Sequence, residues 1–279
     1  MVERTHALGK RGTLAIMRYL DGPRPRVFGH RGAAGVAPEN TLPSFAAAID
    51  AGADRLELDV HASADGQVVV FHDATLERTT NGAGPVRSRS LDDLRALDAG
   101  YTFRGPEGEE GYPFRGRGLR IPTLAEVCAA FPGVPLNIEI KQDAPAIEAE
   151  VLTVLDKHGG RERALLAAEA DGIMARIRAA APGALTGFST GEAMEFIHRQ
   201  ADPAYRPKGF ALQVPPTYGD FVIITEARIA AAHALGVEVH AWTINDEAEM
   251  ERLLDLGVDG LITDFPARAA EVRRRRAER

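Results

Sequence analysis

Residues 56–72 read LELDVHASADGQVVVFH. Glu57, Asp59 and His61 alternate with Leu56, Leu58 and Val60, and a period of two puts the polar set on one face of a strand and the apolar set on the other. Asp65-Gly66 follows as a two-residue turn signal, so the chain is expected to fold back as a hairpin. With that turn at the tip, Asp59 faces His72 on the partner strand. Polar residues facing inward near the C-terminal end of a strand suit the mouth of a β/α barrel, where active sites are built.

Working outward, strand-like and helix-like segments alternate along most of the chain, a pattern that calls for a parallel sheet. Eight barrel strands are expected at Arg26–Gly29, Arg55–Val60, Leu136–Ile140, Ala164–Ala168, Leu185–Phe188, Phe210–Val214, Val237–Trp242 and Gly260–Thr263. The fold class is therefore α/β, a (β/α)8 TIM barrel with a β-hairpin and an inserted loop region after the second strand. Between the strands, Asn40 is expected to cap a helix running to Gly52, and Thr123 with Glu126 forms a capping-box pattern. Asp246 starts a further helix that Gly257 stops. Residues 74–120 hold no clear barrel strand and are rich in glycine around Arg104–Gly111 and Gly116–Gly118, which marks an excursion expected to be mobile. Residues 1–24 read as an N-terminal extension and residues 25–279 as the barrel.

The 279 residues are enough for one barrel, which typically takes about 250. With 33 Lys plus Arg against 40 Asp plus Glu, the net charge of -7 opposes non-specific attraction to nucleic acid, so an anionic substrate needs a local site. The single cysteine, Cys128, excludes an internal disulfide and a thiolate-built zinc site, and sits on the stripe Leu124, Val127, Cys128, Phe131, as a core residue would. The apolar run Leu14–Met17 is too short for a signal or a membrane span, so a cytoplasmic protein with no stable membrane insertion is expected. The run Arg273–Arg276 reads as a solvated helix end.

A third carboxylate comes from residues 137–141, NIEIK, where Asn137, Glu139 and Lys141 share one face. Glu57, Asp59 and Glu139 would repel one another in a partly buried mouth without a cation, and oxygen-only ligands suit one divalent ion, Mg²⁺ or Ca²⁺. At the end of the first strand stands Gly29-His30-Arg31-Gly32. A guanidinium grips phosphate with two hydrogen bonds, and flanking glycines let the backbone come close to it. His30 and His72 are then candidates for a general acid and a general base. His61 is expected at the rim. His6, His158, His198 and His233 read as solvent-facing or helix-packing. His240 and Trp242 alternate on one strand, so Trp242 either walls the pocket or packs in the core.

These residues resemble the glycerophosphodiester phosphodiesterase family over roughly residues 26–270, in the segments FGHRGAAGVAPENTLPSFAAAIDAGAD, LELDVHASADGQVVVFHDATLERTTNGAG, IPTLAEV, NIEIK, AWTIND and GVDGLITDFP. The resemblance implies that Glu57, Asp59 and Glu139 hold the metal, that His30 and His72 are the catalytic pair, and that Arg31 and Lys141 hold phosphate. Glu39 and Asn40 fall in the PENT segment beside the site, and the stretch after His72 matches an insertion that covers the barrel mouth. The implied reaction is hydrolysis of a small-molecule glycerophosphodiester to sn-glycerol 3-phosphate and an alcohol. Related barrels that cleave phospholipid head groups, lysophospholipase D or sphingomyelinase D-like, are the alternative. Which histidine is acid and which is base, whether water attacks directly, and the oligomeric state stay open.

Overall fold

The computed structural model describes residues 19–105 and 111–279. Its strands are β1 (Arg26–Gly29), β2 (Arg55–Ala62), β3 (Val68–Val70), β4 (Leu136–Ile140), β5 (Ala164–Ala167), β6 (Leu185–Thr186), β7 (Ala211–Val214), β8 (Thr217–Tyr218), β9 (Phe221–Val222), β10 (Glu238–Ala241) and β11 (Gly260–Thr263). Parallel pairing runs β6-β5-β4-β2-β1-β11-β10-β7, with β3 antiparallel on β2. The ring closes between β6 and β7 through a parallel bridge from Gly187 to Ala211, where the Phe210 N–H donates to Thr186 O at 2.7 Å. This is the expected (β/α)8 barrel, and each of the eight expected strand positions carries a barrel strand. The small β8–β9 ribbon after β7 was not anticipated, because two-residue strands carry no readable period.

The helices are α1 (Leu42–Asp50), α2 (Leu91–Arg95), α3 (Leu124–Ala130), α4 (Glu148–Lys157), α5 (Asp171–Ala180), α6 (Thr190–Arg199), α7 (Glu226–Ala234), α8 (Glu247–Leu256) and α9 (Pro266–Ala277), with short 3-10 turns at Val86–Ser88 and Arg161–Arg163. Thr123 and Glu126 form the capping box of α3, Asp246 caps α8, and Gly257 ends α8 in the left-handed conformation at φ 97°. The cap of α1 differs from expectation. Thr41 accepts from Ser44 N, while Asn40 takes a left-handed φ of 57° and turns its amide to Asp59.

Alternation sorts each strand's residues between two apolar regions. Val27, Leu56, Leu58 and Val60 pack outward against helix residues such as Phe45, Leu124 and Val272. Phe28, Leu165, Ala167 and Ile262 fill the barrel interior together with Tyr19, a residue of the N-terminal segment. Emptying the fully buried Phe45 site by mutation to Ala should cost about 3–5 kcal/mol. At the N-terminal end of the barrel the interior is ionic. Arg26 Nε and Nη2 donate to Glu238 at 2.7 Å each, His240 Nε2 lies 3.0 Å from the same carboxylate, and Arg55 Nη2 donates to the carbonyls of Tyr19 and Asp21.

Further expectations need correction. Among the described residues, the excursion at 74–120 is packed through its Leu76, Val86, Leu94 and Ala99 into a small core shared with Val69, Phe71 and Ile121, and α2 within it carries a capping box. Residues 106–110 of its glycine-rich part, like residues 1–18 with His6, fall outside the described residues. Of the run Arg273–Arg276, only Arg274, 57% exposed and paired within its own helix with Glu271 and Glu278, fits a solvated end. Arg273 pairs with Asp54, Arg275 with Glu247, and Arg276 with Glu251 and Asp255, so the helix is strapped to the barrel and to α8. The hairpin register is taken up below. Cys128 is buried as expected.

Candidate active site

β2 and β4 are paired in register, Asp59 opposite Glu139, so both point inward at one level, with Glu57 one level deeper. One carboxylate oxygen each from Glu57, Asp59 and Glu139 lies within 4.8 Å of the others. Burial, reinforced by the Asp59 charge, pushes the Glu57 carboxyl up to about 7. Burial likewise raises Glu139 to about 7, against the pull of Lys141. Three converging carboxylates, two of them raised by burial and one of these offering an oxygen (Glu139 Oε1) with no aligned hydrogen-bond donor, are a donor set that a hard divalent cation fits.

Cationic and amide groups hold this cluster from the side. Lys141 Nζ lies 3.0 Å from Glu139 Oε1 and 3.6 Å from Asp59 Oδ1. Arg31 Nε lies 3.3 Å from Asp59 Oδ2, its Nη1 donates to Glu39 Oε1 at 3.0 Å, and its backbone N–H donates to Glu57 Oε2 at 2.9 Å. Asn40 Nδ2 donates to Asp59 Oδ2 at 2.9 Å. Arg31 has a φ of 50°, an uncommon conformation for a side-chain-bearing residue and one that is held here by its neighbours. Gly32 beside it has a φ of 90°, and a Cβ there would stand 2.6 Å from Ser44 C, so only glycine lets the turn lie against α1.

Both histidines expected in the site have Nδ1 held by a carboxylate. His30 Nδ1 donates to Asp264 Oδ1 at 2.7 Å, and Asn245 Nδ2 donates to Asp264 Oδ2 at 2.7 Å. Burial opposes the charged form of His30, but the Asp264 bond and the Glu57 charge outweigh it and raise its pKa above the usual value. His72 Nδ1 donates to Asp73 Oδ1 at 2.6 Å. Asp73 is drawn down to about 2, because bonds from Arg78 and His72 overcome its partial burial.

The route of His72 to this place differs from expectation. Ser63 N donates to Gln67 O, and Gly66, at φ 77°, is the third residue of a three-residue loop rather than half of a two-residue turn. Val60 therefore faces Val70, and Asp59 aligns with Phe71, whose N–H donates to Asp59 O at 2.9 Å. His72 lies past the end of β3. Its carbonyl accepts from His61 Nε2 at 3.1 Å, and it joins the cluster through Asp73, Arg78, Glu39 and Arg31. His61, expected at the rim, is buried, which lowers its pKa.

Trp242 follows β10 and is 37% exposed, while His240 is fully buried against Phe28. Of the pair, His240 packs in the core and Trp242 does not. His158, His198 and His233 are exposed, His233 with a bond to Asp259. Sequence reasoning missed Asp73, Arg78, Asn245 and Asp264. The position of Asp264, directly after the end of β11, was a usable signal in a fold that places chemistry at strand C-termini.

The chain matches the glycerophosphoryl diester phosphodiesterase family over residues 30–268. It is 35% identical over 247 residues to a glycerophosphodiester phosphodiesterase of Caldanaerobacter subterraneus subsp. tengcongensis, covering 86% of this chain and 94% of that one. A glycerophosphoryl diester phosphodiesterase domain from Mycobacterium tuberculosis shares the fold, with a TM-score of 0.80 at 24% identity over 91% of this chain and 100% of that one. An Oleispira antarctica phosphodiesterase solved in complex with the product sn-glycerol-3-phosphate superposes with a TM-score of 0.74 at 27% identity, covering 90% of this chain and 97% of that one. Among the described residues no helix is long and apolar enough to cross a membrane. With the family matched across most of its length and its eight-stranded barrel shared with solved members, this chain belongs to the glycerophosphoryl diester phosphodiesterase family and is a phosphodiester hydrolase.

Proposed function

We propose that the chain hydrolyses small glycerophosphodiesters to sn-glycerol 3-phosphate and an alcohol, using one divalent cation, Mg²⁺ or Ca²⁺, held by Glu57, Asp59 and Glu139, with His30 and His72 as the acid–base pair. The observation that carries this reading is the convergence of three carboxylates at one mouth with two histidines that are each oriented through Nδ1 by a carboxylate. When bound, the cation supplies positive charge that offsets the charge on the phosphate oxygens. Arg31 and Lys141 stand beside the carboxylates and contribute the remaining positive charge, with Arg31 able to grip two phosphate oxygens.

Because Nδ1 of each histidine is occupied, Nε2 is the nitrogen left for substrate. One imidazole accepts the proton of the nucleophile, either water or a substrate hydroxyl whose cyclic phosphate water then opens, and the other delivers a proton to the departing alkoxide, a division worth on the order of 10²–10⁴ in rate. Asn40 and Glu39 act through Asp59 and Arg31, fixing the ligand carboxylate and the guanidinium.

A second reading, release of a head group from a lysophospholipid, is favoured by one feature: Tyr218, Phe221 and Val222 of the β8–β9 ribbon are 80%, 46% and 49% exposed beyond the end of β7. Turnover across glycerophosphocholine, glycerophosphoethanolamine, glycerophosphoglycerol and lysophospholipids, with Mg²⁺, with Ca²⁺ and with a chelator, tests both. Release of glycerol 3-phosphate that needs the metal supports the first reading. Turnover of lysophospholipids alone replaces it with the second.

A further inference from the structure

Arg78 belongs to the inserted segment and to no barrel strand, yet its guanidinium makes four charge-assisted contacts with two carboxylates of the mouth. Nε and Nη2 donate to Asp73 Oδ2 and Oδ1 at 2.6 and 3.1 Å, and Nη1 and Nη2 donate to Glu39 Oε2 and Oε1 at 2.6 and 2.7 Å. Each of these carboxylates holds a residue of the proposed machinery. Asp73 Oδ1 accepts from His72 Nδ1 at 2.6 Å, and Glu39 Oε1 accepts from Arg31 Nη1 at 3.0 Å. We propose that Arg78 is a positioning residue that sets the His72 imidazole and the Arg31 guanidinium together, by clamping the two carboxylates that orient them.

The planar fork is what makes this possible. A guanidinium presents donors on two edges in fixed directions, so one group engages two carboxylates in a defined relative geometry, whereas an ammonium is a point charge without that constraint. The fork is itself anchored. Leu76, two residues earlier, is fully buried in the insertion's core, Thr80 Oγ1 donates to Leu76 O at 2.7 Å, and Thr102 Oγ1 donates to the Arg78 carbonyl at 2.7 Å. The insertion is thus a strut for the acid–base apparatus.

A stabilising role is the bland explanation for a set of surface ion pairs, and the exposure argues against it. The Arg78 side chain is 47% exposed, so solvent screens its pairs, and a purely stabilising role would lower the unfolding temperature without moving the His72 ring signal. Its effect should therefore fall on geometry at the mouth.

This inference rests on the proposed acid–base role of His72, and the test separates the two. The full-length protein with added Mg²⁺ is compared as wild type, Arg78→Lys, Arg78→Gln and Arg78→Ala, with kcat and KM on glycerophosphoethanolamine, thermal unfolding, and ¹⁵N resonances of the His72 ring identified by a His72→Gln reference. Expected are a fall in kcat on the order of 10² for all three substitutions, as for an active-site displacement of about 1 Å, an unfolding temperature near wild type, and a His72 Nδ1 signal shifted or split between tautomers. Added guanidinium ion should restore part of the rate to Arg78→Ala. An unchanged His72 ring signal in Arg78→Ala, or in Arg78→Gln should the alanine variant fail to fold, overturns the proposal whether or not the rate falls. Wild-type protein that turns over no glycerophosphodiester overturns the functional reading instead, while the ring signal still decides on Arg78.

Discussion

Asp264 Oδ1 stands 2.7 Å from His30 Nδ1, joining the end of the last barrel strand to the end of the first. The carboxylate is itself fixed by Asn245, and burial, which would raise its pKa, is outweighed by the His30 bond so that it stays ionised. Asp264→Asn can present an amide N–H to Nδ1 and so favour the wrong tautomer. It should lower kcat on the order of 10², and by no more than His30→Ala, whose loss of an acid–base group should cost about 10²–10⁴. Steady-state rates for both variants check this. An Asp264→Asn enzyme at wild-type rate would show that the bond does not orient His30.

Removing the metal should abolish turnover reversibly. Calorimetric titration of Glu57→Gln, Asp59→Asn and Glu139→Gln with Mg²⁺ or Ca²⁺ should show binding at least tenfold weaker than wild type, because each loses one of three proposed ligand carboxylates. Full activity in excess chelator would sink the metal assignment.

The insertion should tune the alcohol side of the substrate. Arg115 stacks on the rings of Tyr101 and Tyr112 at 4.1 and 3.5 Å, which gives the segment aromatic surface on a fixed scaffold. Replacing residues 104–118 by a short Gly-Ser linker should change KM or the ranking of head groups far more than metal affinity. An unaltered substrate profile would leave selectivity to strand-borne residues such as Trp242, and Trp242→Ala then tests that.

Acid should unfold this protein partly through Glu238. Burial raises its pKa, but bonds from Arg26 and His240 prevail and hold it well below the usual carboxylate range. A carboxyl depressed in the folded state contributes stability that is fully present above its unfolded pKa and is lost as pH falls through the folded one. Glu238→Gln should therefore flatten the stability profile below about pH 4, the ordinary carboxylate range. At neutral pH it should cost about 3–5 kcal/mol, because Arg26 is left buried without its partner. Denaturant titrations from neutral to acid pH report both, and a variant whose profile parallels wild type would assign the acid lability elsewhere.

The barrel was legible because its strands are short apolar runs set off from helix-period segments, and the carboxylates because alternation on β2 and β4 puts them on one face. What escaped has physical reasons. Gly66 closes a three-residue loop, which shifts the ladder by one residue, and local turn chemistry did not distinguish that from the Asp-Gly two-residue turn. Asn40 resembles a helix cap by residue type, but its amide is drawn to the buried Asp59, and Thr41 caps in its place. Asp73, Arg78 and Asp264 lie on irregular segments after strands, where no period exists and long-range ion pairs decide position. The same holds for Arg273, Arg275 and Arg276 of α9, whose partners lie far away in sequence.

The ring of strands is joined at one place by the single bridge from Gly187 to Ala211, between β6, a strand of two residues, and β7. A hoop with one thin weld gives way there first, so thermal breathing should be vented through that gap, and amide exchange near Gly187 should outpace that of β2 and β4. In the order of strands the weld lies diametrically across from β1 and β2. Jolts to the loops on the weld side should thus be absorbed by a slight parting of the hoop, while the five-residue seam of β2 and β4 holds its spacing as a jaw.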